Sequence, residues 1–253
     1  MRDCLNLLLN RNIEAMTFGC EYQIAAPFAR HDATLDNVLR TSGGSRRHRR
    51  CTIGKTPLSR MLAAERKPDA LDAFRVARRW FFAGRRIEMQ ELAAELGVNR
   101  ATLFRWVGGR DELLGEILWS LAEPTLLGAV KASDGDGAEL ITGAIGHFAA
   151  MLDQADFLRA FLRREPERAL RILTTRAGTV QARLVVAIEN LLNDEVAQGN
   201  LRSRLPLRDL AYLIVRIVES FLYAEYITGE DPDIAMAELA VGALLGRHDS
   251  DND

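Results

Sequence analysis

The fold is decided by Met89-Gln-Glu-Leu-Ala-Ala-Glu-Leu-Gly-Val-Asn-Arg-Ala-Thr-Leu-Phe-Arg-Trp-Val107, followed by Gly108-Gly109-Arg110-Asp111. Met89, Leu92, Ala93 and Leu96 stand at i, i+3, i+4 and i+7. They form the apolar face of one amphipathic helix, which Gly97 stops. Asn99 is an N-cap for a second helix, whose buried edge is Leu103 with Val107 and which Gly108-Gly109 ends. A helix-turn-helix needs a small residue where the helices cross, a turn residue tolerant of positive φ, and apolar residues that lock the second helix onto the first. Ala93, Gly97, Val98 and Leu103 supply these at consistent spacing.

The second helix, roughly residues 100–107, is then expected to turn Arg100, Ala101, Thr102, Phe104 and Arg105 outward. Arginine can read guanine through two hydrogen bonds, and Thr and Ala can touch a thymine methyl, which suits the major groove of duplex DNA. Arg110 stands beside the free N–H groups that open the next helix, a placement suited to a phosphate. The same helix pair also occurs in helical enzymes and protein-binding modules, so the motif by itself leaves those two alternatives open.

Helical grammar continues on both sides. Upstream, Asp69 precedes Leu71, Phe74, Ala77 and Phe81 at helical spacing, Asp72 suits the first turn, and Gly84 closes the helix. Downstream, a fourth helix starts near Asp111 and carries Leu113, Leu114, Ile117, Leu118 and Leu121. Residues 116–246 read as five or six helices, with breaks at residues 133–137, near Glu165-Pro166, at Gly178, at residues 198–200 and at residues 229–232. The predicted class is all-α: an N-terminal three-helix helix-turn-helix domain plus a C-terminal helical bundle. Within that bundle, residues 207–227 are apolar nearly all round and need burial on more than one side. After Pro232, the small residues Ala235, Ala237, Ala240, Gly242 and Ala243 allow close helix approach.

At this point the chain resembles a known family. Residues 70–118 are similar to the DNA-binding domain of the tetracycline-repressor (TetR/AcrR) family, with Leu92-Ala93, Gly97-Val98, Thr102-Leu103 and Leu113-Leu114 where that family has its corresponding pairs. The resemblance implies three helices for DNA, a fourth that links, and a helical C-terminal domain that dimerises and binds an inducer. Three positions depart from the pattern. Phe104 replaces a tyrosine whose hydroxyl contacts phosphate, Glu88 replaces a capping Thr or Ser, and Arg110 replaces a lysine while keeping its charge. Residues 105–119 are similar to a subgroup that regulates degradation of quorum-sensing lactones.

The implied function is a ligand-responsive transcriptional regulator, a homodimeric repressor released from a pseudo-palindromic operator by a small, mostly apolar effector. The last two helices would form its dimer interface across a two-fold axis. The effector pocket would lie between the linking helix and the middle helices. Its candidates are Trp119, Phe148, Met151, Phe157, Phe161, Tyr212, Arg216 and Tyr223. Arg216 and Glu219, i and i+3 on an apolar helix, either satisfy each other or meet a polar effector.

Composition sets the outer bounds. The 253 residues are 48% hydrophobic and 27% charged, which excludes disorder throughout. No apolar run approaches the ~18 residues of a membrane span, and the Leu5 to Leu9 start is broken by asparagine, so the expectation is a cytoplasmic protein without a membrane partner. Cys4, Cys20 and Cys51 lack C-x-x-C spacing and the histidines are scattered, so neither a metal site nor a cofactor is expected. Nucleophile-elbow spacing and Gly-rich phosphate loops are also missing, which argues against an enzyme.

Charge is uneven along the chain, net basic through residue 67 and acidic after residue 115. Five of the eleven residues from Arg40 to Arg50 are arginine, among Gly and Ser, which predicts a flexible segment with non-specific phosphate affinity. The expected organisation is a flexible basic extension at 1–60, the helix-turn-helix domain at 61–115, and the effector-binding and dimerisation domain at 116–248. For residues 1–60 two readings stand: a functional arm, or an extension upstream of a second plausible start at Met61.

Overall fold

Asp69 opens the first helix in the way its spacing predicts. Its Oδ1 accepts from the Leu71 and Asp72 amides at 2.9 and 3.0 Å, and Asp72 Oδ2 accepts from the Asp69 amide at 3.1 Å. This reciprocal capping box satisfies donors that a helix start otherwise leaves unmet. The helix, α1 (Ala70–Phe82), buries Ala73, Val76, Ala77, Trp80 and Phe81. Our computed structural model describes residues 67–246, and the expectations for residues 1–60, including the arginine-rich stretch and the three cysteines, lie outside the described residues.

α2 (Met89–Glu95) and α3 (Arg100–Val107) follow. Gly97 has φ +64°, its amide bonds the Ala94 carbonyl and the Val98 amide bonds the Ala93 carbonyl at 3.0 Å. These two bonds end α2 through a left-handed residue, and they set the direction in which α3 leaves. Leu103 is fully buried behind that turn. Glu88 makes no side-chain cap for α2, as its departure from the capping residues predicts, and pairs with Arg86 at 2.8 Å instead.

α4 (Arg110–Lys131) is the longest helix among the described residues and runs through both cores. Its apolar 18-residue stretch has a mean hydropathy of 1.3, enough by length and composition to cross a membrane. The expectation that no run nears that length is therefore corrected for α4. Half of that stretch is buried against other helices of the protein, the position of a core helix.

Seven further helices follow among the described residues: α5 (Gly137–Asp153), α6 (Asp156–Arg164), α7 (Pro166–Thr174), α8 (Val180–Ala197), α9 (Leu207–Leu222), α10 (Ala224–Ile227) and α11 (Ile234–Leu244). All the breaks expected at Gly, Pro and polar runs are present. Two others are not marked by such residues. The chain turns at Gln154 and Ala155 with neither Gly nor Pro, because Ala155 and Leu158 are drawn into the core. Tyr223, fully covered, likewise parts α9 from α10. The count of five or six is thus exceeded.

Two apolar clusters hold the helices together. One joins α1, α2 and α3 to the first half of α4, to α6 and α7, and to the end of α9. The other joins the second half of α4 to α5, α8, α9 and α11. The described residues all fall within one compact unit, Glu65–Asp253.

Candidate nucleic-acid interface

α3 is held at its start by Asn99, whose Oδ1 accepts from the Thr102 amide at 2.7 Å. With Leu103 facing inward, the opposite side of the helix presents Arg100, Ala101, Phe104 and Arg105 to solvent, while Thr102 is half-buried. The Arg100 guanidinium lies 5.1 Å from the centre of the Phe104 ring, so these two exposed side chains, four residues apart on successive turns, stack on each other. α3 carries no acidic side chain. The exposed face is short, cationic and rimmed by small residues, the chemistry that docking into a major groove needs.

Arg110 is placed differently from the other five. Its Nη1 and Nη2 donate to Glu165 Oε2 and Oε1 at 2.8 and 2.6 Å, and its side chain is only 12% exposed. Arg168 Nη1 donates to the same carboxylate at 2.7 Å. Burial pushes the Glu165 carboxyl up, but the hydrogen bonds and charges of Arg110 and Arg168 outweigh it and hold its pKa below the ordinary glutamate value. Asp111 is bound by Arg168 Nε at 2.9 Å and by Arg171 Nη2. A Cβ added at Gly109 would stand 2.7 Å from Glu112 Oε2, so an acid already faces the opening of α4. Residue spacing pointed to the cation at 110 but not to its partner. Glu165 was legible only as a helix break beside Pro166.

The candidate effector residues separate into groups. Phe157 and Phe161 pack ring on ring with Phe81 at 5.9 and 5.5 Å, and Tyr223 is buried in the same cluster. Phe148 is buried in the other cluster with Trp119 at its edge, Trp119 lies 5.7 Å under the Arg183 guanidinium, and Met151 is half-buried. Tyr212 is 48% exposed on the outer side of α9. Arg216 donates to Glu219 at 2.8 Å and to the Thr174 carbonyl at 3.0 Å.

Glu219 is buried, and Gln181 Nε2 donates to both its oxygens at 3.1 and 3.0 Å. Sequence spacing found the Arg216–Glu219 pair but not Gln181, which lies 38 residues away on α8. Among the described residues no group of three His, Cys, Asp or Glu side chains is arranged to hold a metal ion.

α9 and α11 pack together and leave large apolar side chains outside: Tyr212 and Leu213 on one, Met236 and Leu239 on the other. A run of such side chains on two adjacent helices is more than the scattered exposure of an ordinary surface.

Comparison with known proteins bears on these features. Residues 136–246 match the family described as tetracyclin repressor-like, C-terminal domain. The R. erythropolis transcriptional repressor QsdR, from the TetR family, is 32% identical with a TM-score of 0.68, over 73% of this chain and 97% of that one. AlkX, a TetR family repressor from Dietzia sp. strain DQ12-45-1b implicated in biodegradation of n-alkanes, is 22% identical with a TM-score of 0.46, over 71% and 97% of the two chains. A TetR family transcriptional regulator from Thermus thermophilus, PfmR, is 19% identical with a TM-score of 0.36, over 69% and 96%. No functionally curated protein matches the chain.

Proposed function

The chain belongs to the TetR family of ligand-responsive transcriptional regulators, and from that premise we propose that it is a homodimeric repressor whose two copies of α3 occupy successive half-sites of a pseudo-palindromic operator. The observation that carries the reading is the outer face of α3. Asn99 caps the helix, Leu103 anchors it, and Arg100, Ala101, Phe104 and Arg105 are left uncovered by the rest of the described chain. Arg100 and Arg105 are assigned to base edges or phosphates, with Ala101 and Thr102 as close-docking contacts.

The exposed apolar side chains of α9 and α11 support a second copy of the chain as their cover, through a four-helix interface across a two-fold axis. That axis would set the spacing of the two α3 helices. A small, mostly apolar effector bound among the helices behind α4 would release the operator by favouring a different spacing, which requires differential affinity for the two states. The helix-turn-helix domain at 61–115 and the effector-binding domain at 116–248 are the units that such a change would reorient.

A gel-shift titration against duplexes selected from random sequence tests the reading. The wild-type protein should bind with affinity that falls steeply as salt rises, and Arg100→Ala should cost about 1–3 kcal/mol while relaxing base choice at one position. Binding that ignores both salt and Arg100 would leave a protein-interaction module or an enzyme as the better account.

A further inference from the structure

Three guanidinium groups converge on one carboxylate. Arg110, the first residue of α4, forks onto both Glu165 oxygens at 2.8 and 2.6 Å, Arg168 of α7 adds a third contact at 2.7 Å, and Arg86 from the turn between α1 and α2 stands at 3.8 Å. Guanidinium groups adopt this forked arrangement around phosphate as readily as around carboxylate. Arg110 is fully engaged by it. Both terminal nitrogens point at Glu165, Nε is buried without an acceptor, and little of the side chain meets solvent. In this arrangement a phosphate outside the protein has no access to Arg110, although that residue follows closely on the exposed helix α3.

We propose that Glu165 is an internal substitute for a DNA phosphate: it competes with the nucleic-acid backbone for Arg110, and thereby lowers the affinity of the helix-turn-helix for all DNA sequences alike. The proposal rests on the DNA-binding reading above. Glu165 touches no base in this scheme and acts only through Arg110. The buried, unmet Nε of Arg110 favours release, because that donor gains an acceptor or water once the side chain swings out. Opposing release is the pairing itself, which Arg168 reinforces. Arg86, more than half exposed, is held by Glu88 at 2.8 Å and follows Arg110 toward the same phosphate by leaving that pair.

The test uses the full chain and random-sequence duplex DNA, so that no operator need be known, with binding read by fluorescence anisotropy across a salt series. Glu165→Gln should bind roughly tenfold more tightly, with a salt slope steeper by about one per protomer as one more phosphate is engaged. Glu167→Gln removes the same charge from an exposed position on α7 outside the network, and should change neither quantity appreciably. Combining Glu165→Gln with Arg110→Ala should abolish the gain in affinity and the added slope, because the phosphate contact that Glu165→Gln frees is made by Arg110.

If Glu165→Gln does not fold, Arg110→Lys carries the test. It keeps the charge but cannot fork across two oxygens, so it should leave Glu165 more readily and bind more tightly with a steeper slope. Unchanged or weaker binding by either folded variant, or a gain that survives in the double variant, overturns the competition. If the wild type binds DNA and Glu165→Gln merely equals it, only this inference falls. If no variant binds at low salt, the DNA-binding reading falls with it.

Discussion

Glu219 shows how a single buried acid can govern the pH response of the protein. Burial, opposed by Arg216 and Gln181, pushes its carboxyl up from 4.5 to about 7. In the unfolded chain it returns to an ordinary value of about 4.3. Between those two values the folded state holds a proton that the unfolded state has released, so stability falls as pH rises and levels off above about 7. The shift is worth on the order of 2 kcal/mol once the partial exposure of Arg216 is allowed for. Glu219→Gln cannot lose that proton. Its stability relative to wild type should therefore improve by about 2 kcal/mol between about pH 5 and pH 8 in urea unfolding, and an offset equal at both pH values would refute the assignment. Glu165 works in the opposite direction: its lowered pKa adds stability that is present at neutral pH and lost as pH falls through the folded value.

The contrast between α2 and α3 locates the weakness of the motif at the level of elements. Asn99 caps α3 with a 2.7 Å bond, whereas α2 opens on Glu88 with no side-chain cap. Glu88→Ser should gain about 0.5–1 kcal/mol, since the exposed Arg86 pairing it forfeits is worth little, and thermal unfolding should shift upward by about 2–4 °C. No rise in Tm would mean that the start of α2 is satisfied by water. The boundaries of α1 to α4 were legible because each is marked by a residue with a local job: Asp69, Gly84, Gly97, Asn99 and the Gly108-Gly109 pair. The turn at Gln154 and Ala155 was not, because it is fixed by what Ala155 and Leu158 pack against rather than by any backbone preference of their own. The site divides in the same way. The outward set on α3 follows from a helical period of about 3.6, whereas the partner of Arg110 is 55 residues distant in sequence and no local pattern announces it.

For the whole molecule, the consequential surface is the one shared by α9 and α11. With Leu239 55% exposed, Leu239→Lys places a charge in the middle of the proposed interface but touches no core side chain. On the proposed interface the wild type should sediment as a dimer, whereas the variant should keep its helical circular dichroism, sediment as a monomer and lose tight binding to two-half-site duplexes. A variant that remained dimeric would place the two-fold axis elsewhere. The interior is continuous across residue 115, since one apolar cluster joins α1, α2 and α3 to α4, α6 and α7.

That continuity limits how reading heads can be exchanged between relatives. Phe81 and Phe82 meet Phe157 and Phe161 at centroid separations of 5.0 to 5.9 Å. A chimera that transplanted residues 67–115 onto a foreign body would carry two phenyl groups without the aromatic partners they meet here. Exchange should succeed only where the recipient's own sixth helix offers aromatic rings at matching heights, so compatibility between donor and host would be judged there and not at the join.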